Sequence, residues 1–107
     1  MRISSSIIAS ILMFSFGPHS KAADGKELFA KQCASCHGPD GKAQTPIARK
    51  LGVKDLTQSK LTEAEIENQI AEGKRDDRGK ETMPAFKGKL SAAEIKSLVS
   101  AVKELRK

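Results

Sequence analysis

The sequence contains no tryptophan and no tyrosine, and it has only four phenylalanines, two cysteines and two histidines among 107 residues. Phe14 and Phe16 lie in an apolar stretch at the amino terminus, which leaves Phe29 and Phe86 for the rest of the chain. A domain this small is only marginally stable by hydrophobic burial alone, and such domains usually add disulfides, a metal or another cross-link. The composition therefore predicts a bound group that supplies apolar bulk to the core.

The amino terminus has the three parts of a secretory signal peptide. A basic start at Arg2 is followed by an apolar run over residues 7–16 and by an end with small residues at Ser20 and Ala22. We predict that residues 1–22 are cleaved, after Ala22 or one residue later, and that residues 23–107 form the mature domain. The alternative is an uncleaved anchor, but the apolar run is shorter than the roughly 20 residues that span a membrane. No cysteine lies near the cleavage site to carry a lipid anchor.

The predicted mature chain is mildly basic. The leader holds Arg2 and Lys21 and no acidic residue, so residues 23–107 hold 17 basic and 13 acidic residues, a net charge of +4. The basic residues are not concentrated in one run, which gives no indication of nucleic-acid binding and is compatible with docking onto acidic protein surfaces. Any single lysine can equally be an ordinary solvated side chain.

Three helix starts are each marked by a capping residue with a glutamate three positions later. The pairs are Asp24 with Glu27, Thr62 with Glu65, and Ser91 with Glu94. We expect the first helix to run to the turn signal of residues 37–41 and the second to end at Gly73. The third has one apolar face, formed by Ile95, Leu98, Val99, Val102 and Leu105.

The segments between these helices predict loops and one short helix. Thr45-Pro46 favours an extended residue followed by a turn or a short helix through Leu51, and residues 54–57 are typical of a loop. Residues 74–81 are too polar to pack and are expected to form an exposed loop. No window alternates apolar and polar residues with period two, and there is no internal repeat. The sequence therefore predicts an all-α fold without a sheet.

Cys33 and Cys36 are three positions apart, and His37 follows directly. A thioredoxin-like dithiol would require a surrounding βαβ unit, which the helical pattern lacks. A structural zinc site requires four ligands, whereas the predicted mature chain offers only these three cysteine and histidine residues. The third kind of site is covalent haem attachment, with the signature C-x-x-C-H, in which the thiols bond to the two vinyl groups and the histidine binds the iron. We favour haem, because it also supplies the missing apolar bulk.

Met83 is the only methionine of residues 23–107, because Met1 and Met13 belong to the predicted leader. Pro84 favours an extended backbone at Met83 and stiffens the loop that carries it. A thioether is a soft neutral ligand that favours reduced iron. We therefore interpret His37 as the proximal iron ligand and Met83 as the distal one. The alternative is that Met83 only fills the core.

Over residues 24–106 the chain resembles the small bacterial single-haem cytochromes c of class I. The resemblance is carried by Cys33-Ala34-Ser35-Cys36-His37-Gly38, Asp40-Gly41, Ile70, Gly73, Met83-Pro84-Ala85-Phe86 and Leu90-Ser91. It implies a cytochrome c-like helical shell around one covalently attached haem c. It also implies that the first and last helices cross near the amino terminus.

The resemblance implies roles for further residues. Gly25 and Phe29 match crossing residues of the first helix, and Pro46 matches a proline whose carbonyl accepts a hydrogen bond from the proximal imidazole. The chain departs from the family at two places. Ala101 stands where the last helix usually carries an aromatic residue, which suggests a looser crossing. Residues 74–82 are longer than the matching stretch of many relatives, which suggests a mobile distal loop and a weaker bond to Met83.

Ligands on both sides of the haem leave the iron no open position for a substrate. We therefore predict a one-electron carrier of a bacterial respiratory chain, a monomer without enzymatic activity or a membrane span after cleavage, that diffuses in the periplasm. Its partners would be redox proteins with acidic docking surfaces, such as a cytochrome complex, a terminal oxidase or a periplasmic dehydrogenase, and not nucleic acid. The alternative is a five-coordinate or labile haem that binds a small ligand or gas or has weak peroxidase activity. Only the length of residues 74–82 supports it.

Overall fold

The computed structural model describes residues 24–106, so the predicted signal peptide of residues 1–22 lies outside the described residues. Five helices occupy most of this range, namely α1 (Gly25–Gln32), α2 (Ala34–His37), α3 (Pro46–Leu51), α4 (Glu63–Glu72) and α5 (Ala92–Leu105). A 3₁₀ turn, Leu56–Gln58, and two short strands, β1 (Lys74–Arg75) and β2 (Glu81–Met83), complete it. No helix within residues 24–106 is long and apolar enough to cross a membrane. The predicted helical fold is confirmed.

The predicted starts of α4 and α5 are confirmed. In each helix the hydroxyl of the capping residue accepts a hydrogen bond from a backbone N–H three positions on, and the glutamate at that position accepts one from the N–H of the cap. The distances are 3.2 and 3.0 Å for Thr62 and Glu65, and 3.1 and 2.9 Å for Ser91 and Glu94. These bonds satisfy donors that a helix start otherwise leaves free, so short sequence segments fix both starts.

At the start of α1 the predicted helix cap, Asp24, is confirmed, but the predicted reciprocal bond from Glu27 is wrong. Asp24 caps the helix by accepting a hydrogen bond from the N–H of Lys26 at 3.1 Å. Glu27 does not complete a capping box, and its carboxylate lies 3.3 Å from Nζ of Lys31, one turn further along the helix. An ion pair on the helix surface has thus replaced the expected reciprocal bond.

The helices α1 and α5 cross at Gly25, and the crossing is tight. A Cβ atom on Gly25 would lie 2.2 Å from the backbone oxygen of Ser97 and 3.3 Å from the Cβ atom of Ala101. The expectation of a looser crossing is therefore wrong. Ala101 is buried, and its small side chain allows the two helix backbones to approach where a larger residue would hold them apart.

The core lies between α1, α4 and α5. Its buried residues are Leu28, Phe29, Cys33, Ile66, Ile70, Phe86, Ile95, Leu98, Val99, Ala101 and Val102. The apolar face predicted for the last helix is buried from Ile95 to Val102, and Leu105 packs against it as a partly buried residue. The core therefore extends to the first cysteine of the motif.

The prediction that the chain has no sheet is wrong. The strands β1 and β2 form an antiparallel pair in an irregular register, with Lys74 opposite Met83 and Arg75 opposite Glu81. Strands of two and three residues are too short to show alternation in a sequence. Residues 74–81 are exposed, as predicted, but they belong to a β-hairpin rather than to an irregular loop.

The predicted loop over residues 54–57 is partly ordered as the 3₁₀ turn. Oδ1 of Asp55 accepts hydrogen bonds from the N–H and the hydroxyl of Thr57, at 2.8 and 2.6 Å. The N–H of Leu56 donates to the carbonyl of Gly41 at 2.8 Å. The turn is thus fixed against the segment that follows the cysteine motif.

Candidate functional site

The cysteine motif lies across a break between two helices. α1 ends at Gln32, Cys33 caps it with a φ of −119°, and α2 begins at Ala34. The prediction of one continuous helix to His37 is therefore wrong at this position. The N–H of His37 donates to the carbonyl of Cys33 at 2.9 Å. Cys33 and His37 thus stand at the two ends of a single helical turn.

All four predicted site residues line one cavity. Its volume is about 870 Å³, and its wall includes Cys33, Cys36, His37 and Met83. A second, smaller pocket has Cys33, His37 and Met83 in its wall together with residues of the core, namely Phe29, Ile66, Ile70, Leu98 and Val102. A cavity of this size can hold a cofactor. A group bound there would contact both the motif and the core.

The two cysteines are free thiols. Cys33 is buried, and burial raises its pKa from 9.0 to about 11, with a smaller contribution from the charge of Cys36. Such a thiol is a weak nucleophile and a weak metal ligand near neutral pH, because the thiolate is the reactive form. Within residues 24–106 no group of three or more His, Cys, Asp or Glu side chains could hold a metal ion. Both observations disfavour the zinc interpretation.

The imidazole of His37 is neutral near pH 7, because burial lowers its pKa from the ordinary value of 6.5. Its Nδ1 atom is buried without a hydrogen-bond partner among the described residues. Buried polar atoms nearly always have a partner. An unpaired nitrogen on a neutral imidazole fits a residue that interacts with a bound group.

The hydrogen bond implied for Pro46 is not formed, since Nδ1 of His37 has no hydrogen-bond partner in the described range, 24–106, to which Pro46 belongs. Pro46 instead occupies the first turn of α3, where the predicted short helix is confirmed. Thr45 caps this helix by accepting from the N–H of Ala48 at 3.0 Å, and its hydroxyl donates to the carbonyl of Cys36 at 2.7 Å. The pair Thr45-Pro46 predicted this helix, but the bond from Thr45 to Cys36 was not predicted, because it joins residues nine positions apart.

Met83 is the last residue of β2 and is half-buried. It packs against the core and contributes, with His37, to the walls of both cavities. A thioether and a neutral imidazole are the two donors of a haem site that is ligated by histidine and methionine. The structure therefore brings the predicted ligands to one cavity from segments that are far apart in the sequence.

Gln69 is a cavity residue that the sequence analysis missed. Its side-chain amide donates to the carbonyl of Gly73 at 2.7 Å, and the residue contributes to both cavity walls. It lies three positions after Ile66 on α4, and residues at this spacing share a helix face. The apolar face of α4 could therefore have indicated that Gln69 points toward the core side.

The residues around the cavity fit a covalently attached haem. Two unpaired thiols stand within one helical turn, beside the half-buried imidazole of His37, whose Nδ1 atom is buried and has no hydrogen-bond partner among residues 24–106. The smaller pocket is lined mainly by apolar side chains, which match the bulk that a porphyrin would add to a core with two aromatic residues. The apolar group that the composition predicts therefore has a place in the fold.

Comparisons with known proteins agree with this fit. A family model described as cytochrome c oxidase, cbb3-type, subunit III matches residues 20–100. Cytochrome c6 of Nostoc sp. is 32% identical over 94% of this chain and 90% of its own length. The FixP subunit of the cbb3-type cytochrome c oxidase of Azorhizobium caulinodans is 35% identical over 83% of this chain and 29% of its own length.

A solved structure shows the same fold. The c-type cytochrome KustC0563 has a TM-score of 0.69 to this chain and is 34% identical to it, over 78% of this chain and 99% of its own. Both its sequence and its fold therefore match the chain along nearly the whole of the described range. The chain belongs to the small class I cytochromes c, electron carriers that hold a covalently bound haem c.

Proposed function

We propose that this chain is a periplasmic one-electron carrier whose haem is attached at Cys33 and Cys36 and ligated by His37 and Met83. The observation that carries the proposal is that these four residues line one cavity, although Met83 comes from a hairpin far along the chain from the motif. The haem, when bound, supplies an iron centre that takes up and releases one electron. The residues of the chain supply its anchorage, its ligands and an apolar surrounding.

The two proposed ligands act as neutral donors. Burial keeps His37 unprotonated near pH 7, so the imidazole is available for the iron. The thioether of Met83 is soft and uncharged, and it stabilises the reduced state more than the oxidised one, which raises the potential. With both axial positions taken, no position is open to a substrate. This supports a carrier and not an enzyme.

The alternative function, a labile haem that binds a small ligand, depended on the length of residues 74–82. In the structure these residues form a hairpin whose second strand carries Met83. The feature that favoured the alternative thus favours an ordered distal side instead.

We also propose that residues 1–22 direct export and that the mature chain acts in the periplasm. Its partners would be redox proteins with acidic docking surfaces, since Lys42, Lys87 and Lys89 are exposed and the mature chain has a net positive charge. A cytochrome complex, a terminal oxidase or a periplasmic dehydrogenase would meet this description. One relative, FixP, is itself named as an oxidase subunit.

The test is the absorption spectrum of the purified holoprotein. The oxidised protein should show a sulfur-to-iron charge-transfer band, and the reduced protein should change little when carbon monoxide is added. An immediate spectral shift with carbon monoxide, together with the absence of that band, would contradict ligation by Met83 and favour the open haem.

A further inference from the structure

The segment that carries Met83 is tied to the end of α4. After Met83, the N–H of Phe86 donates to the carbonyl of Ile70 at 3.0 Å, and the N–H of Lys87 donates to the carbonyl of Ala71 at 3.1 Å. These carbonyls belong to the last turn of α4, where a helix leaves acceptors without partners. The helix end therefore serves as the support on which the residues after Met83 are fixed.

The hairpin fixes the residues before Met83. Met83 pairs with Lys74 across the two strands, and the hydroxyl of Thr82 donates to the carbonyl of Lys74 at 3.3 Å. Gly73, with a φ of +72°, lies so close that a Cβ atom there would be 2.5 Å from the carbonyl oxygen of Met83. The backbone of Met83 is thus held against the end of α4 from both directions.

Two side chains bond across the tip of the hairpin: Nη1 of Arg75 donates to the carbonyl of Gly79 at 2.9 Å, and Asp76 makes the larger number of bonds. Oδ1 of Asp76 accepts hydrogen bonds from the N–H of Arg78 and from the N–H of Lys80, both at 2.9 Å. The N–H of Asp76 also donates to the carbonyl of Lys80 at 2.9 Å. Asp77, the next residue, is exposed and makes no side-chain hydrogen bond or ion pair that the structure shows among residues 24–106. The two neighbouring aspartates therefore differ in structural role while carrying the same charge.

We propose that Asp76 is a positioning residue for the distal ligand, and that it acts through the hairpin on Met83. This inference rests on the proposed ligation by Met83. Residues 74–82 would otherwise be a long polar loop, and ordering such a loop costs conformational entropy each time the ligand binds. Because the hairpin closed by Asp76 is already ordered in the folded protein, this entropy is not lost again when Met83 binds. Met83 therefore competes more strongly with any other ligand for the iron.

The experiment measures how easily imidazole displaces Met83 in the oxidised holoprotein, followed by loss of the charge-transfer band. The variants are Asp76→Ala, Asp76→Asn and Asp77→Ala. Asp76→Ala removes both acceptor bonds at the tip. Asp77→Ala removes the same charge from the adjacent position of the same cavity wall, and Asp76→Asn removes the charge but retains an acceptor oxygen.

We expect Asp76→Ala to bind imidazole about three- to tenfold more tightly than the parent protein, because two exposed hydrogen bonds are lost. Tenfold corresponds to about 1.4 kcal/mol. Asp77→Ala and Asp76→Asn should stay close to the parent. Equal shifts in Asp76→Ala and Asp77→Ala would show an effect of charge alone, and unchanged affinity in Asp76→Ala would show that the hairpin tip does not position the ligand.

Met83→Ala separates this inference from the proposed function. If that variant keeps the charge-transfer band, Met83 is not the ligand, and the proposed function fails. If Met83→Ala loses the band while Asp76→Ala matches the parent in imidazole affinity, the ligand assignment stands and the role of Asp76 is overturned.

Discussion

Thr45 donates a hydrogen bond from its hydroxyl to the backbone carbonyl of Cys36 at 2.7 Å, across nine positions of the chain. The same oxygen accepts a hydrogen bond from the N–H of Ala48 and so begins α3. The residue is half-buried. One side chain therefore connects the end of the cysteine motif to the start of the next helix.

Thr45→Val should destabilise the holoprotein by about 1–3 kcal/mol. The substitution conserves shape, but it removes a helix cap, which contributes about 0.5–2 kcal/mol, and leaves the carbonyl of Cys36 without a partner. The measurement is the free energy of unfolding in guanidinium chloride. Thr45→Ser retains the hydroxyl and is the control. A Thr45→Val protein as stable as its parent, or a larger loss in Thr45→Ser than in Thr45→Val, would mean that the methyl group, and not the hydrogen bond, is what matters.

Gly25→Ala should destabilise the crossing of α1 and α5 by about 1–3 kcal/mol, the usual cost of overpacking. The new Cβ atom would clash with the backbone oxygen of Ser97, which cannot move without shifting α5. A thermal or denaturant unfolding curve measures the effect. Lys26→Ala, at the exposed neighbouring position, should change the unfolding free energy by less than about 0.5 kcal/mol. A Gly25→Ala protein as stable as its parent would show that the two helices can separate at no cost.

Met83→Ala should open the distal position without releasing the haem, which the proposed thioether bonds of Cys33 and Cys36 would retain. The midpoint potential should fall, because water or hydroxide replaces a neutral soft donor. Carbon monoxide should bind the reduced variant readily. If Met83 were only core filler, the variant would instead lose about 2–5 kcal/mol of stability with the same potential as the parent.

A chain with Cys33→Ala and Cys36→Ala together should not fold cooperatively. The described core contains only two aromatic residues, Phe29 and Phe86, and without covalent attachment the cavity wall has no apolar group to pack against. Circular dichroism against temperature is the measurement. A highly helical, haem-free protein with a sharp unfolding transition would contradict the prediction.

Electron exchange with an anionic reagent such as hexacyanoferrate should slow as salt rises. Residues 23–107 carry a net charge of +4, and Lys42 and Lys89 are exposed. Physiological salt screens charges over about 8 Å, which weakens the attraction before contact. A positively charged cobalt complex should respond in the opposite direction. Rates that do not vary with salt for either reagent would mean that these lysines do not influence approach to the haem.

The sequence predicted the features that depend on neighbouring residues. The starts of α4 and α5 follow from the pairs at Thr62 and Ser91, where each side chain bonds to its own helix. Thr45-Pro46 predicted α3 for the same reason. These signals are local, so a single sequence contains all of the information that they need.

The features that the sequence did not predict depend on residues that meet only in the fold. The approach of Gly25 to Ser97 is set by two helices at opposite ends of the described chain. The hairpin depends on the pairing of Lys74 with Met83 and on the bonds that Asp76 makes at the tip. Nδ1 of His37 has no hydrogen-bond partner among the described residues, and this too depends on which carbonyls lie near the ring in the fold. Hydrophobic periodicity in the sequence does not indicate which residues of distant segments will be in contact.

The packing of α1 on α5 also determines at what stage of folding the hydrophobic core can form. Gly25 of α1 lies against Ser97 and Ala101 of α5. Helix α1 can therefore pack in its final position only after α5 has been synthesised. Contacts between distant segments form late, since the intervening chain must be ordered first. We therefore expect the thiols of Cys33 and Cys36 to stay accessible for haem attachment until α5 packs, so that the protein would fold around its cofactor instead of having to open to admit it.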